Sequence, residues 1–324
     1  MQKEPYQEKE HFPIVVVHCG NSRALELCLR QARKMNPDNP IYLVGDESNN
    51  CYDFVIHRNV DEPELSTDIA AFCAVYQGYS MLPAAWERFN MERWLLVRNL
   101  MRVENLPACL AIDSDVFLFC NVDEEARRFK DYAMTFAHWD DARNLIHCNF
   151  IQNRRALDSF CDYMFQVYTD ANLLNLLKEK NCKRRAARHT YWVSDMSLFC
   201  DWNQKSNEKT CFFEDFLSEG ICYDSCIDSD GVSHNFQTQF YLPGLRRRHK
   251  KITFVNGVPY SVLRNGQKVP MKCLHYHGYF KFLMEDHFQG RHSKWKTFGF
   301  LLRRSLLNIP EKLRNFAKRL LGRM

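Results

Sequence analysis

A chain of 324 residues, 46% apolar and 26% charged with a net charge of +5, is long enough to bury a full core. No apolar run approaches the roughly 20 residues that cross a bilayer, and Met1 to Glu10 is too charged for a secretory leader. The charge is uneven: residues 294–324 hold nine Lys and Arg against one Glu, net +8, which leaves −3 on the 293 residues before them.

Residues 1–11 form a polar leader. After it, Phe12 to His18 is a β-branched run that ends at Cys19-Gly20-Asn21-Ser22, a buried strand with a turn at its carboxyl end. Ser22 caps an expected helix through Met35, with Leu25, Leu29 and Ala32 on its apolar face; Asn36 to Pro40 stops it. Ile41 to Val44, followed by Gly45-Asp46-Glu47, is a second strand and turn. Strand, helix and strand in this order imply a parallel sheet. Ligands bind at the carboxyl ends of such strands, which makes His18, Asn21 and Asp46 candidates for nucleotide contact; turn chemistry alone accounts for them equally well.

Residues 68–91 are aromatic-rich, helical or loop-like, and Glu92 to Met101 reads as a helix that projects Arg93 toward the following strand end. There an anionic ligand or an ion pair with a nearby acid awaits it. Cys109 to Phe119 is an apolar strand interrupted by Asp113-Ser114-Asp115. Two carboxylates that close repel each other, and burying them is costly, so a divalent cation held by oxygen ligands is the natural compensation. The alternative is a solvated acidic turn between two short strands.

Further along, Asp123 to Lys130 is expected as an exposed charged helix and Tyr132 to His138 as a strand ending in Trp139-Asp140-Asp141. An apolar run over 145–152 is broken by Asn149, and Arg154 to Tyr168 is an amphipathic helix. Lys183 to Arg185 with Arg188 is a basic loop. Asp195 stands in an apolar context, where it or Ser194 opens a helix. Residues 201–235 read as polar and irregular. Arg246 to Lys251 is a second basic run, and Asn256-Gly257 and Asn265-Gly266 mark hairpin turns. His275-Tyr276-His277-Gly278 then offers imidazole nitrogens and a glycine for close backbone approach, with Lys281 as an ammonium for phosphate oxygens.

Fourteen cysteines scattered over a large chain, with no Asn-x-Ser/Thr acceptor, fit reduced thiols in a cytosol. Cys222 and Cys226, like Cys109 and Cys120, lack paired CxxC spacing and are read as small buried apolar residues.

The order of these features resembles metal-dependent glycosyltransferases of the GT-A fold, most of all the retaining family of glycogenin and bacterial lipopolysaccharide galactosyl- and glucosyltransferases. Its Asp-x-Asp corresponds to Asp113-Ser114-Asp115 and its late His-x-x-Gly-x-x-Lys to His275, Gly278 and Lys281. Cys148-Asn149-Phe150 resembles its intervening Asn segment, Asp195 its helix-opening Asp, and Arg93 its upstream Arg. The departures are Asp195-Met196 where the family has Asp-Gln, and His18-Cys19-Gly20 where it has an acidic turn.

The resemblance implies a GT-A, mostly parallel α/β domain over 12–293, with a nucleotide-binding half over 12–122 and an acceptor half over 123–293. It also implies Mn²⁺ or Mg²⁺ on Asp113, Asp115 and His275. A UDP-hexose donor would lie against His18, Asn21, Asp46, Arg93, Ser114, Gly278 and Lys281, with Asp195 and Asn149 at the reaction centre and a glycan or lipid-linked acceptor. In a retaining transfer the departing phosphate takes the acceptor proton; in an inverting one Asp195 or Asp141 would be the base. The strand around Asp113 also resembles the nucleophile strand of haloacid-dehalogenase-type phosphatases, although a complete βαβ unit precedes it here.

A third expectation concerns residues 294–324. Ile309, Leu313, Phe316, Ala317, Leu320 and Leu321 form one helical stripe under a basic face, suited to a peripheral contact with anionic lipid at the inner membrane surface or to packing on the body. A non-catalytic membrane-surface protein is the corresponding alternative function. No nucleic-acid partner is expected.

Overall fold

The computed structural model describes residues 11–80, 82–182, 193–229, 235–239 and 249–307. The polar leader up to residue 10, the basic loop at Lys183 to Arg188, the first half of the 246–251 run and the stripe from Ile309 onward lie outside them.

The opening βαβ unit forms as its periodicity dictates. β1 (Ile14–Val17) leads into α1 (Arg23–Met35), capped by Ser22, whose hydroxyl accepts from the Leu25 amide, and α1 leads to β2 (Ile41–Gly45). β3 (Ile56–Asn59) follows, then α2 (Pro63–Ser66) and α3 (Ile69–Val75). The expected helix at Glu92 is longer than its apolar pattern suggested: α4 spans Ala84–Val103 and is buried along most of its second half.

β4 (Cys109–Ile112) and β5 (Val116–Leu118) flank the double aspartate. α5 (Val122–Arg128) is not the fully exposed helix expected: Glu125 is buried, taking hydrogen bonds from the Tyr223 hydroxyl and Lys272 Nζ. β6 (Met134–Asp140), β7 (Arg143–Leu145), β8 (Cys148–Ile151), α6 (Arg154–Thr169) and α7 (Ala171–Cys182) come next. Residues from 201 on are also more regular than their polarity indicated. α8 (Asp195–Lys205) runs through the start of that stretch, and β9 (Thr210–Phe212) and β10 (Cys222–Tyr223) follow, because Phe199, Trp202 and Phe213 supply buried anchors.

β11 (Thr238–Gln239) and β12 (His249–Lys250) make a short ribbon. β13 (Thr253–Val255), β14 (Val258–Val262) and β15 (Lys268–His275) form the meander announced by the two Asn-Gly pairs. At the first of these, Asn256 (φ 49°) and Gly257 (φ 79°) are both left-handed, as a two-residue hairpin turn of this hand requires. α9 (Met284–Phe288) and α10 (Lys294–Leu307) close the described chain.

The main sheet has the order β3-β2-β1-β4-β8-β6-β7, with β9 beside β6. Its first four strands are mutually parallel; β8 runs antiparallel between β4 and β6, and β9 is parallel to β6. Successive residues of β1 and β4 serve opposite faces. Ile14, Val16, Leu110 and Ile112 join a core with α1, while Val15, Cys109 and Ala111 join one with α4, α6 and α8. A second sheet, β10-β15-β14-β13 with β5 on β15, lies in the α1-side core.

No described helix is long and apolar enough to cross a membrane. The described part of the basic tail packs on the body: Thr297 is fully buried, Phe300 stacks on Phe282 at 4.0 Å, and Lys296 Nζ lies 2.9 Å from Asp286.

Candidate metal centre

β4 ends at Ile112, so Asp113 and Asp115 stand at the carboxyl edge of the parallel strands, where the backbone turns into β5. β15 pairs antiparallel with β5, His275 opposite Val116, which carries the late histidine back to the aspartates across about 160 residues of sequence. One ligand atom from each of Asp113, Asp115 and His275 lies within 4.8 Å of the others. The Tyr276 amide donates to the Asp115 carbonyl at 2.9 Å and locks the register.

His275 is oriented for ligation. Its Nδ1 faces the Ser225 carbonyl at 2.8 Å, which leaves Nε2, 3.6 Å from Asp115 Oδ1, as the nitrogen turned toward the aspartates. The His275 amide donates to Asp224 Oδ2 at 3.0 Å, and the ring stacks on His147 at 4.3 Å. His147 is held neutral: burial and the neighbouring His275 lower its pKa, and its Nε2 faces the Asp224 carbonyl at 2.7 Å.

Burial alone would raise the Asp115 carboxyl, but His275 and Lys281, whose Nζ is 3.0 Å from Oδ2, bring it below the ordinary carboxylate value. Lys281 follows Gly278 in a 3-10 turn over 278–283. Gly278 has φ 58° with nothing within 4 Å of where a Cβ would stand, so the left-handed backbone is what calls for glycine here.

Arg93, on α4, is partly buried and joins both acids: Nη1 bonds Asp113 Oδ1 and Nη2 lies 2.9 Å from Asp195 Oδ2. The guanidinium therefore takes the ion-pair fate rather than a free anion site. Asp195 also accepts from Trp94 Nε1 at 3.3 Å and from the Met196 amide at 2.8 Å, while Ser194 caps α8. Burial raises the Asp195 carboxyl, with Arg93 opposing the shift.

The loops at the ends of β1 and β2 adjoin this edge. His18 is lowered by burial and by Lys281. Asp46 is occupied by the turn, accepting from the Gly20 amide at 2.6 Å and the Ser48 amide at 2.9 Å. Asn21 is bound by Ser48 and Tyr52. Asn49, which carried no sequence signal, is fully buried and donates to the carbonyls of His18 and Gly20. A Cβ on Gly45 would meet its side chain at 2.2 Å.

Asn149 stands opposite Ala111 on β8, fully buried; its Nδ2 donates to Thr135 and its Oδ1 has no partner. Ser114 occupies the turn between the two aspartates. The phosphatase reading is not favoured, since Asp113 is engaged by Arg93 and that chemistry leaves the His275-to-Lys281 segment without a role.

The donor set, two carboxylates and one imidazole nitrogen fixed by a backbone carbonyl, fits a hard or borderline divalent cation. A narrow cleft lined by Val17, Arg93, Trp94, Asp113 and Ile146 opens beside it.

No family model matches this sequence, and no curated protein matches it. Among solved structures, the chain is similar to the galactosyltransferase LgtC in complex with donor and acceptor sugar analogs, at 11% identity over 94% of this chain and 99% of that one (TM-score 0.43). It is also similar to the apo form of mouse xyloside xylosyltransferase 1, at 10% identity over 62% and 84% (TM-score 0.45). A third match, the apo bifunctional glycosyltransferase WbbM, shows 10% identity over 92% of this chain and 53% of that one (TM-score 0.45). These proteins are glycosyltransferases, and the chain's own mixed, mostly parallel sheet with helices on both faces is the α/β architecture expected of it.

Proposed function

We propose that this chain is a metal-dependent glycosyltransferase that moves a hexose from a UDP-linked donor to a glycan or lipid-linked acceptor with retention, in the synthesis of a cell-surface polysaccharide. The observation that carries the reading is the convergence of Asp113, Asp115 and His275 at the carboxyl edge of the parallel strands, with Lys281 beside them.

Asp113, Asp115 and His275 would hold Mn²⁺ or Mg²⁺, which when bound supplies Lewis-acid charge to a diphosphate leaving group. Lys281, 46% exposed at its side chain, adds an ammonium that phosphate oxygens reach from solvent. Arg93 orients Asp113 and Asp195 together, so that the acid that meets the sugar moves with the acid that meets the metal. His18 and Asn21 border the nucleoside end, and Asn49 keeps that loop in place. In a retaining transfer the departing phosphate accepts the acceptor hydroxyl proton, and no side chain is required as base. Asn149, beneath the strand end, serves as a positioning residue through its unpartnered Oδ1.

A screen of nucleotide sugars for hydrolysis tests the reading. UDP-hexoses should turn over with Mn²⁺ and stop when it is chelated. Release of phosphate from a generic phosphoester, with no nucleotide sugar consumed, would contradict it.

A further inference from the structure

We propose that Cys226, Asp228 and His277 form a second cation site, for a borderline-soft divalent ion such as Zn²⁺, beside the carboxylate-rich centre. One ligand atom from each lies within 4.8 Å of the others. The set combines sulfur, imidazole and a single carboxylate, which favours Zn²⁺ over Mg²⁺ or Mn²⁺, whereas Asp113, Asp115 and His275 favour the harder ions.

The backbone holds two of the three ligands in place. The Ser229 amide donates to the Cys226 carbonyl at 3.1 Å, so Cys226 and Asp228 share one turn, and the Ile227 amide donates to the His275 carbonyl at 3.0 Å, tying that turn to the end of β15. Lys250 Nζ also bonds the Cys226 carbonyl and fixes the turn from beneath. His277 Nδ1 stands 3.9 Å from Asp228 Oδ2, too long for a direct hydrogen bond. Two ligands of one tetrahedral zinc, with bonds of about 2.0–2.3 Å, sit only slightly closer than that. His277 and Asp228 reach the surface, so small rotations of their side chains close the set around an ion and leave its fourth position to solvent.

The two centres share no ligand. His275 Nδ1 lies 3.6 Å from Cys226 Sγ but is committed to the Ser225 carbonyl at 2.8 Å, and His275 offers its other nitrogen to the aspartates. An ion on the second set would pin His277 next to Gly278, where the turn carrying Lys281 begins. The site stands whether or not the chain transfers sugar.

Titration of the full-length protein with Co²⁺ alone, followed by absorption, reads the site directly, because thiolate coordination gives a near-ultraviolet sulfur-to-cobalt charge-transfer band. The band should appear, vanish in Cys226→Ser, fall in His277→Ala, whose altered side chain is exposed and does not bear on folding, and persist in Asp115→Asn. Zn²⁺ should displace it, and excess Mg²⁺ should not. No band in the wild type, or a band undiminished in Cys226→Ser or His277→Ala, would overturn the assignment.

Discussion

Arg93 shows how a single residue fixes the character of the centre. Its guanidinium is largely withdrawn from solvent between Asp113 and Asp195, and a charge so placed depends on partners that are present and well aligned. Nearly two turns earlier on the same helix, Glu87 is buried with one oxygen taking a hydrogen bond from Ser80 at 2.9 Å and the other without a partner. Burial and the nearby Asp195 raise its pKa from 4.5 to about 7. The folded protein therefore keeps a proton that the unfolded chain loses near 4.5. The stability this confers is complete below the unfolded value and is lost as pH rises through about 7. Glu87→Gln removes that titration. Urea denaturation between about pH 5 and about pH 8 should show a flatter decline in the variant, by at most about 1.4 kcal/mol per pH unit, and greater stability than wild type at the upper end. Parallel declines would contradict the burial argument. Glu214, also raised to about 7 by burial, leaves a residual slope in both proteins.

At the scale of elements, the late histidine depends on a buried ion pair between residues remote from it in sequence. Lys250 on β12 and Asp224 after β10 are both fully buried, 2.7 Å apart, and Asp224 in turn accepts from the His275 amide. Lys250→Met strands the Asp224 charge and should cost about 3–5 kcal/mol in urea denaturation; a loss under about 1 kcal/mol would show that the pair is dispensable. None of this was legible in the sequence, where Lys250 read as one member of a basic run. What local pattern encodes was legible: the βαβ unit from its periodicity, the hairpins from Asn256-Gly257 and Asn265-Gly266, and the Asp113-Ser114-Asp115 break from its charge in an apolar run. Contacts made only by the folded chain were not. Asn49, His147 and Ser225 act through backbone carbonyls and stacking, and Cys226, with no CxxC partner, shares a turn with Asp228 but meets His277 only through β15. Regular structure after residue 201 was hidden for the same reason, since polar stretches there are anchored by single aromatic residues.

For the whole molecule, the pairing of β1, β2 and β4 in the main sheet and of β5 with β15 in the second brings loops from separate segments of the sequence to one edge, while the basic excess lies in the residues that follow the site. The tail divides into two parts. α10 is joined to the body through Thr297, Phe300 and Lys296, although Trp295 is 85% exposed. Removing all of 294–324 would strip that packing as well as the charge. Deletion of 308–324 is the cleaner cut, and it should weaken sedimentation with anionic vesicles while leaving hydrolysis of a soluble donor intact. Unchanged sedimentation would remove the membrane role. The central claim, that Asp113, Asp115 and His275 hold a metal that binds a nucleotide diphosphate, is tested most directly by calorimetry of UDP and Mn²⁺ on wild type and Asp115→Asn. Metal-dependent UDP binding should be present in the first and abolished in the second, and undiminished binding in Asp115→Asn would contradict the account.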